Sequence, residues 1–365
     1  MVSKPEAGAG PVDRQLVRLA RPDVGEEELA EIREVLESGQ LTMGPKVTEL
    51  ERLLAAATAT AHAAAVSSGT AALHVAVLAL GIGPGDEVLV PAYTFPATAN
   101  VVALVGATPV LVDVDPVTMN IDPADAERRV TPRTKAVLAV HLFGRPARLE
   151  ELPELPVIED AAGALGALHC GRPCGSLGTL ACFSFHPRKI VTTGEGGAVT
   201  TDDEELDEAV RSLRHHGWTP SQQYSDMPRP AFNYRLSDIL AAVGIPQLRR
   251  LGDLHAAYDR VARGYAERLA DADVVLPQAD EGDRHGWQAY VIQLDRRDEA
   301  LAALRDAGIQ AQIGTYAVHR LGAYRDQGSF PGADAAFGRA LALPLHTRLT
   351  EDELDRVADV VCRFA

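Results

Sequence analysis

The most unusual stretch of the chain is Ser184-Phe185-His186-Pro187-Arg188-Lys189-Ile190-Val191-Thr192-Thr193-Gly194-Glu195-Gly196-Gly197. It sets one lysine just beyond an apolar run and follows it with a glycine-rich turn, where a backbone can approach a ligand closely. In a partly dry site a lysine amine gives up its proton more readily and can form an imine with an aldehyde. Composition alone also allows a plain exposed lysine in a hairpin-like turn. A second stretch, Val157-Ile158-Glu159-Asp160-Ala161-Ala162, is an apolar strand that ends in two acids. Ligands gather where parallel strands end, and a carboxylate there can keep a pyridine nitrogen protonated so that the ring serves as an electron sink. Asp160 could instead cap the turn that follows. The third, Ser67-Ser68-Gly69-Thr70, opens a helix straight after a strand. Free amides and the positive end of the dipole can hold a phosphate there, with Ser68 and Thr70 adding hydroxyl donors; an N-cap without a ligand is the alternative.

These three segments sit in a region, 63–201, where short apolar runs alternate with amphipathic ones, the pattern of strands and helices taking turns in a mostly parallel α/β sheet. The predicted strands are 63–66, 87–91, 108–114, 135–141, 157–160, 181–185 and 197–200. A helix is predicted over 70–80, stopped by Gly81, Gly83, Pro84 and Gly85, and another follows Asp202 or Asp203 to about His215. The stretch 219–231, rich in Pro, Ser and Gln, reads as a long loop; Trp218, Tyr224 and Arg229 there are open to either a substrate or a surface role. Beyond it, 239–269 is helical in pattern and leads to a smaller domain with a strand at 288–294 and helices at 298–307 and 351–364. The expected organisation is a tail over 1–15, a large domain over 16–245 and a small one over 246–365. His74, inside an apolar helix, reads as a packed or subunit-facing histidine, and His215 and His216 as cations suited to a helix C-terminus.

Composition narrows the partners. With 35 Lys and Arg against 51 Asp and Glu the net charge is −16, which repels nucleic acid and anionic membranes, and no basic patch offsets it. The four cysteines, Cys170, Cys174, Cys182 and Cys362, are too few for a disulfide framework and lack paired zinc spacing. His169 beside Cys170 and Cys174 does not make a persuasive metal site, so no metal is expected. The first residues carry no apolar run and no stretch is long enough to span a bilayer, so a cytoplasmic protein is expected.

Taken in order, the segments resemble the DegT/StrS family of pyridoxal-phosphate (PLP) sugar aminotransferases. Further matches are Leu41 to Gly44, Ser67 to Leu73, Gly83 to Val88, Tyr93-Thr94-Phe95, Val112 to Asp115, His141 to Gly144, Asn233 to Asp238, Tyr316, His319 and Pro344 to His346. The resemblance implies a fold-type-I PLP transferase, with a large, mostly parallel seven-stranded sheet domain and a smaller C-terminal α+β domain. It implies that Lys189 holds PLP as a Schiff base and shuttles the proton, that Asp160 pairs with the pyridine nitrogen and that Phe95 covers the ring. By the same resemblance Ser68, Gly69, Thr70 and Ser184 bind the phosphate, Asn233 reaches a neighbouring subunit's cofactor in a homodimer with shared sites, and Tyr93, Arg235, Tyr316 and His319 face the substrates. Those substrates would be an amino acid, L-glutamate, and a keto sugar or its nucleotide. Where relatives carry polar residues after the two alanines this chain has Gly163 and Leu165, a gap that His186 could fill. Lysine rather than histidine at 189 favours transamination over dehydration. The Gly194-Glu195-Gly196-Gly197 form resembles enzymes that aminate C4 of a nucleotide-linked 4-keto-6-deoxyhexose, a form shared with glutamine-using cyclitol aminotransferases. A PLP-binding regulator without turnover is the alternative from another class.

Overall fold

A computed structural model describes residues 16–219, 226–325 and 327–365. The expected 1–15 tail and Tyr224 lie outside the described residues. Seven strands form the central sheet: β1 (His62–Val66), β2 (Glu87–Pro91), β3 (Thr108–Val112), β4 (Thr134–Val140), β5 (Val157–Asp160), β6 (Leu180–Ser184) and β7 (Gly197–Thr201). Their order is β1-β7-β6-β5-β4-β2-β3. From β6 to β3 each pair is parallel, and β7 runs antiparallel to both its neighbours. Helices cover the sheet, so its strands read as continuous Val, Leu and Ala runs rather than as alternating ones.

The strands match the predicted ones to within a residue or two. The largest difference is at β3, which stops at Val112 instead of 114. Asp113 there leaves the ladder because its carboxylate accepts hydrogen bonds from the amides of Gly332 and Ala333 at 2.9 and 2.8 Å, capping the helix Pro331–Arg339. The helical stretch 239–269 divides at Arg250 into Asp238–Arg249 and Leu251–Arg268. Pro246 lies inside the first of these, and the domain boundary expected at 245/246 therefore crosses a helix.

A second, antiparallel sheet joins Tyr290–Gln293, Ala340–Leu343 and Gln312–Ile313. The first described residues belong with it, since Val17 bridges to Ile309 and the Leu345 amide donates to the Leu19 carbonyl at 2.9 Å. One apolar cluster, including Phe183, Phe185, Tyr265, Tyr290 and Leu343, runs between the two sheets. A two-residue ladder of Tyr93–Thr94 with Tyr316–Ala317 makes a further link at the sheet edge. Among the described residues no helix is long and apolar enough to cross a membrane.

Candidate functional site

The parallel strands all deliver their carboxyl ends to one edge, and because β7 is antiparallel its first residue arrives there too. Gly197 stands opposite both Ser184 and Val66. A Cβ at Gly197 would lie 2.5 Å from the carbonyl carbon and oxygen of Ser68 and 2.6 Å from the Phe183 carbonyl oxygen, so backbone closes on backbone and only glycine fits. The helix Gly69–Ala79 starts in the same corner. The Ser68 hydroxyl caps it by accepting from the Ala71 amide at 3.0 Å, while the amides of Gly69 and Thr70 stand outside the helix's own ladder. A Cβ at Gly69 would meet Ser184 Cβ at 2.7 Å. A helix N-terminus and the Ser184 hydroxyl thus share a cradle suited to a phosphate.

Lys189 lies half-buried in the connection from β6 to β7, and that connection is pinned. The Lys189 amide donates to the His186 carbonyl at 2.9 Å, and the Thr193 amide and Thr192 hydroxyl both donate to the Phe185 carbonyl. Gln247 grips Thr192 twice, accepting from its amide at 3.0 Å and donating to its carbonyl at 2.7 Å. Burial lowers the Lys189 pKa to about 8, the charge of Arg188 pushes the same way, and Asp160 opposes them. Lysine and aspartate therefore feel one another across the cleft.

Asp160 closes β5 with only 5 % of its surface exposed. One oxygen accepts from the Thr98 hydroxyl at 2.9 Å and the other from the Ala162 amide at 3.2 Å. Burial raises its pKa, against the Thr98 bond, the Ala162 amide and the charge of Lys189. A cation at close range works against that rise and favours the ionised acid, and a protonated pyridine would supply one. The donors at the helix N-terminus, the buried acid and the softened lysine fit a phosphorylated pyridine aldehyde.

Beneath Asp160 the chain anchors β5 through Glu159, which is fully buried. Its carboxylate accepts from Gly175, Leu177 and Gly178 amides at 2.7, 2.8 and 2.7 Å and pairs with His141 Nε2 at 2.8 Å. Burial alone would raise its pKa, yet His141 and the amides hold it below the usual carboxylate range. Sequence reading passed over this anchor and Thr98 and Gln247, because a buried partner has no local signature.

The remaining predicted residues are distributed as follows. Phe95 is 61 % exposed and meets the Tyr316 ring edge-on at 6.4 Å, brought there by the Tyr93–Thr94 ladder. Tyr93 itself is buried, and its hydroxyl accepts from the Thr315 amide at 3.1 Å, so it fastens that ladder rather than facing a cleft. His319 pairs with Asp334 at 2.9 Å and packs on Phe330. His186 is exposed, its Nδ1 accepting from the Arg188 amide at 3.3 Å. Asn233 is exposed, and its neighbours Tyr234 and Arg235 tie to the end of β1 through Ser67 and Val66. Arg235 donates to His215 Nδ1 at 2.6 Å. Burial and the nearby Arg235 lower the His215 pKa, so that histidine is a neutral acceptor and not the dipole-matching cation expected. Gly163 leaves room that the Gln288 side chain takes, since a Cβ there would be 3.1 Å from Gln288 Cβ. Cys174 sits with His141 and Glu159, apart from the His169, Cys170 and Asp283 group.

The family model for the DegT/DnrJ/EryC1/StrS aminotransferase family matches residues 22–362. The chain belongs to that family. Spore coat polysaccharide biosynthesis protein SpsC of Bacillus subtilis is 38 % identical over 368 residues, covering 93 % of this chain and 95 % of SpsC. Spr1654 of Streptococcus pneumoniae, solved in a PLP-form, superposes with a TM-score of 0.91 at 31 % identity over 96 % of this chain and 98 % of its own. DesI, solved in the presence of its TDP-sugar product, gives 0.90 at 32 % over 96 % and 93 %. As a DegT/DnrJ/EryC1/StrS protein this chain is a PLP-dependent sugar aminotransferase of the fold-type-I class.

Proposed function

We propose that this enzyme moves an amino group from L-glutamate to a nucleotide-linked 4-keto-6-deoxyhexose, with Lys189 as the cofactor's covalent anchor. The observation that carries the reading is the convergence at one sheet edge of the Lys189 amine, the buried Asp160 carboxylate and the Ser184 and helix N-terminus cradle. When bound, PLP supplies an aldehyde to carry the amino group and a ring that draws electrons from the reacting carbon. Asp160, fixed by Thr98 and Ala162, keeps the ring nitrogen protonated. Ser68, Gly69, Thr70 and Ser184 hold the phosphate. Lys189, whose pKa burial brings to about 8, would be the base that moves the proton at the reacting carbon. Phe95 would cover the ring, and Tyr316 beside it would face the substrate, with His186 near the lysine.

The division into a large domain over 16–245 and a small one over 246–365 is part of the same reading. We place the reaction in the cytoplasm, a setting that suits four free thiols. The enzyme would act as a homodimer with Asn233 reaching the neighbouring site. A cavity of about 420 Å³ lined by Thr70, His74, Leu78, Leu104, Phe232 and Tyr234 supports this. Leu104 is 72 % exposed and Phe232 37 %, an apolar face next to Asn233 that a second copy would cover.

Borohydride treatment of the PLP-loaded protein followed by peptide mass spectrometry tests the anchor: the cofactor should be fixed to the peptide holding Lys189 and absent from Lys189→Ala. The amino form of the enzyme, offered a panel of keto sugars, their nucleotides and keto cyclitols, should return to the aldehyde form with the 4-keto sugar nucleotide. A response to cyclitols alone would overturn the sugar assignment, and a loaded protein that responds to neither donor nor acceptor would be a regulator.

A further inference from the structure

Arg188 stands immediately before Lys189, half-buried in a chain whose net charge is −16. Its guanidinium donates from Nη1 to the neutral Gln312 side chain at 3.1 Å. Among the described residues no carboxylate forms an ion pair with it. Gln312 lies in the small sheet, four residues before Tyr316, whose ring meets Phe95. The guanidinium is thus held by the small sheet through Nη1, and among the described residues its Nε and Nη2 donors have no carboxylate partner. Burial lowers its pKa while the Tyr316 hydroxyl acts the other way, and the same guanidinium is felt by Lys189 and His186. A partly desolvated cation without a counter-ion is costly unless an anion completes it. Two free donors on a planar fork fit a carboxylate.

We infer that Arg188 binds the carboxylate of the amino donor and so restricts the donor to α-amino acids. The inference rests on the aminotransferase reading of the Lys189 site. Position selects the ligand. Neighbouring Cα atoms are about 3.8 Å apart and the Arg188 charge acts on the Lys189 amine, so a ligand at the carbon that Lys189 serves lies within range of the guanidinium. In an α-amino acid a carboxylate is bonded directly to that carbon. In a sugar nucleotide the phosphate is separated from a C4 carbonyl by the ring.

The two half-reactions separate the two anion sources. With PLP-loaded enzyme, the concentration of L-glutamate that half-saturates the single-turnover absorbance change should rise roughly 10- to 100-fold in Arg188→Ala, the loss expected for hydrogen bonds to a charged group. Arg188→Lys, a point charge without the fork, should fall between. The reverse entry, amino-form enzyme with the keto sugar nucleotide, should be unchanged in its half-saturation. Glutarate, which has no amine to react, should bind wild type in a calorimeter and fail to bind Arg188→Ala. Arg188→Gln repeats the measurements should the alanine variant fold poorly. Wild-type-like glutamate saturation and glutarate binding in these variants would overturn the inference, as would a defect confined to the sugar nucleotide, which would make the anion a phosphate. A wild type that takes up no cofactor overturns the aminotransferase reading itself, whatever Arg188 does.

Discussion

Replacing Gly69 with alanine would place a methyl group 2.7 Å from Ser184 Cβ, 3.1 Å from its Oγ and 3.3 Å from its Cα. Gly69 does not have a left-handed φ, so the backbone accepts alanine and the clash is the whole difficulty. Overpacking of this kind costs about 1–3 kcal/mol, and the entropy lost by the unfolded chain on Gly→Ala returns about 0.4–1. A net destabilisation of about 0–2.6 kcal/mol follows. Ser184→Gly removes both the Cβ and the Oγ and leaves only the main-chain carbon of residue 184, 3.3 Å away. In the double variant the stability lost by Gly69→Ala should largely return, a coupling of about 1 kcal/mol or more. Cofactor affinity should behave differently. Without the Ser184 hydroxyl the phosphate loses one charge-assisted hydrogen bond, about 1.5–3 kcal/mol or roughly 10- to 100-fold in Kd, and restoring the packing does not restore it. Urea unfolding of the cofactor-free protein reads the first quantity and absorbance titration with PLP the second. Costs that simply add in the double variant would refute the cradle.

The cofactor-free enzyme should take up PLP at a rate that rises through pH 8, because only the neutral amine attacks and burial has brought Lys189 down to about 8; a stopped-flow midpoint near 10 would contradict the dry site. In the same assay Asp160→Asn, which removes the opposing negative charge, should move the midpoint lower. Glu159→Ala strips the acceptor from three amides and from His141, and should cost about 3–5 kcal/mol in urea unfolding, as breaking a buried charge pair does; a loss under about 1 kcal/mol would show the anchor to be dispensable. Since the Glu159 carboxyl is held below its usual range, its stabilisation should be present above the unfolded-state pKa and disappear as pH falls through the folded one. Leu104→Arg on the apolar face should shift sedimentation from dimer to monomer and reduce activity with it, and an unchanged sedimentation profile would exclude that face as the interface.

The elements that carry the site were legible in the chain because their signals are local. Val157 to Ile158 reads as a buried strand before two acids, Ser67 to Thr70 as a cap before an apolar helix, and the Gly194 to Gly197 turn as a place of close backbone approach, which Gly197 makes against Ser68. What each strand end meets is not local. Asp160 finds Thr98 across 62 residues, Thr192 finds Gln247 across 55, and Arg188 finds Gln312 across 124.

The chain by itself therefore determined which residues could do chemistry, since residue type and the period of the pattern are properties of neighbours in sequence. The tertiary structure alone decided that Tyr93 fastens a ladder while Tyr316 faces Phe95, that His215 is a neutral acceptor, and that Arg188 meets the neutral Gln312 rather than an acid. Burial and charge act through space, and the distances that set a pKa or a hydrogen bond exist only once distant segments have packed.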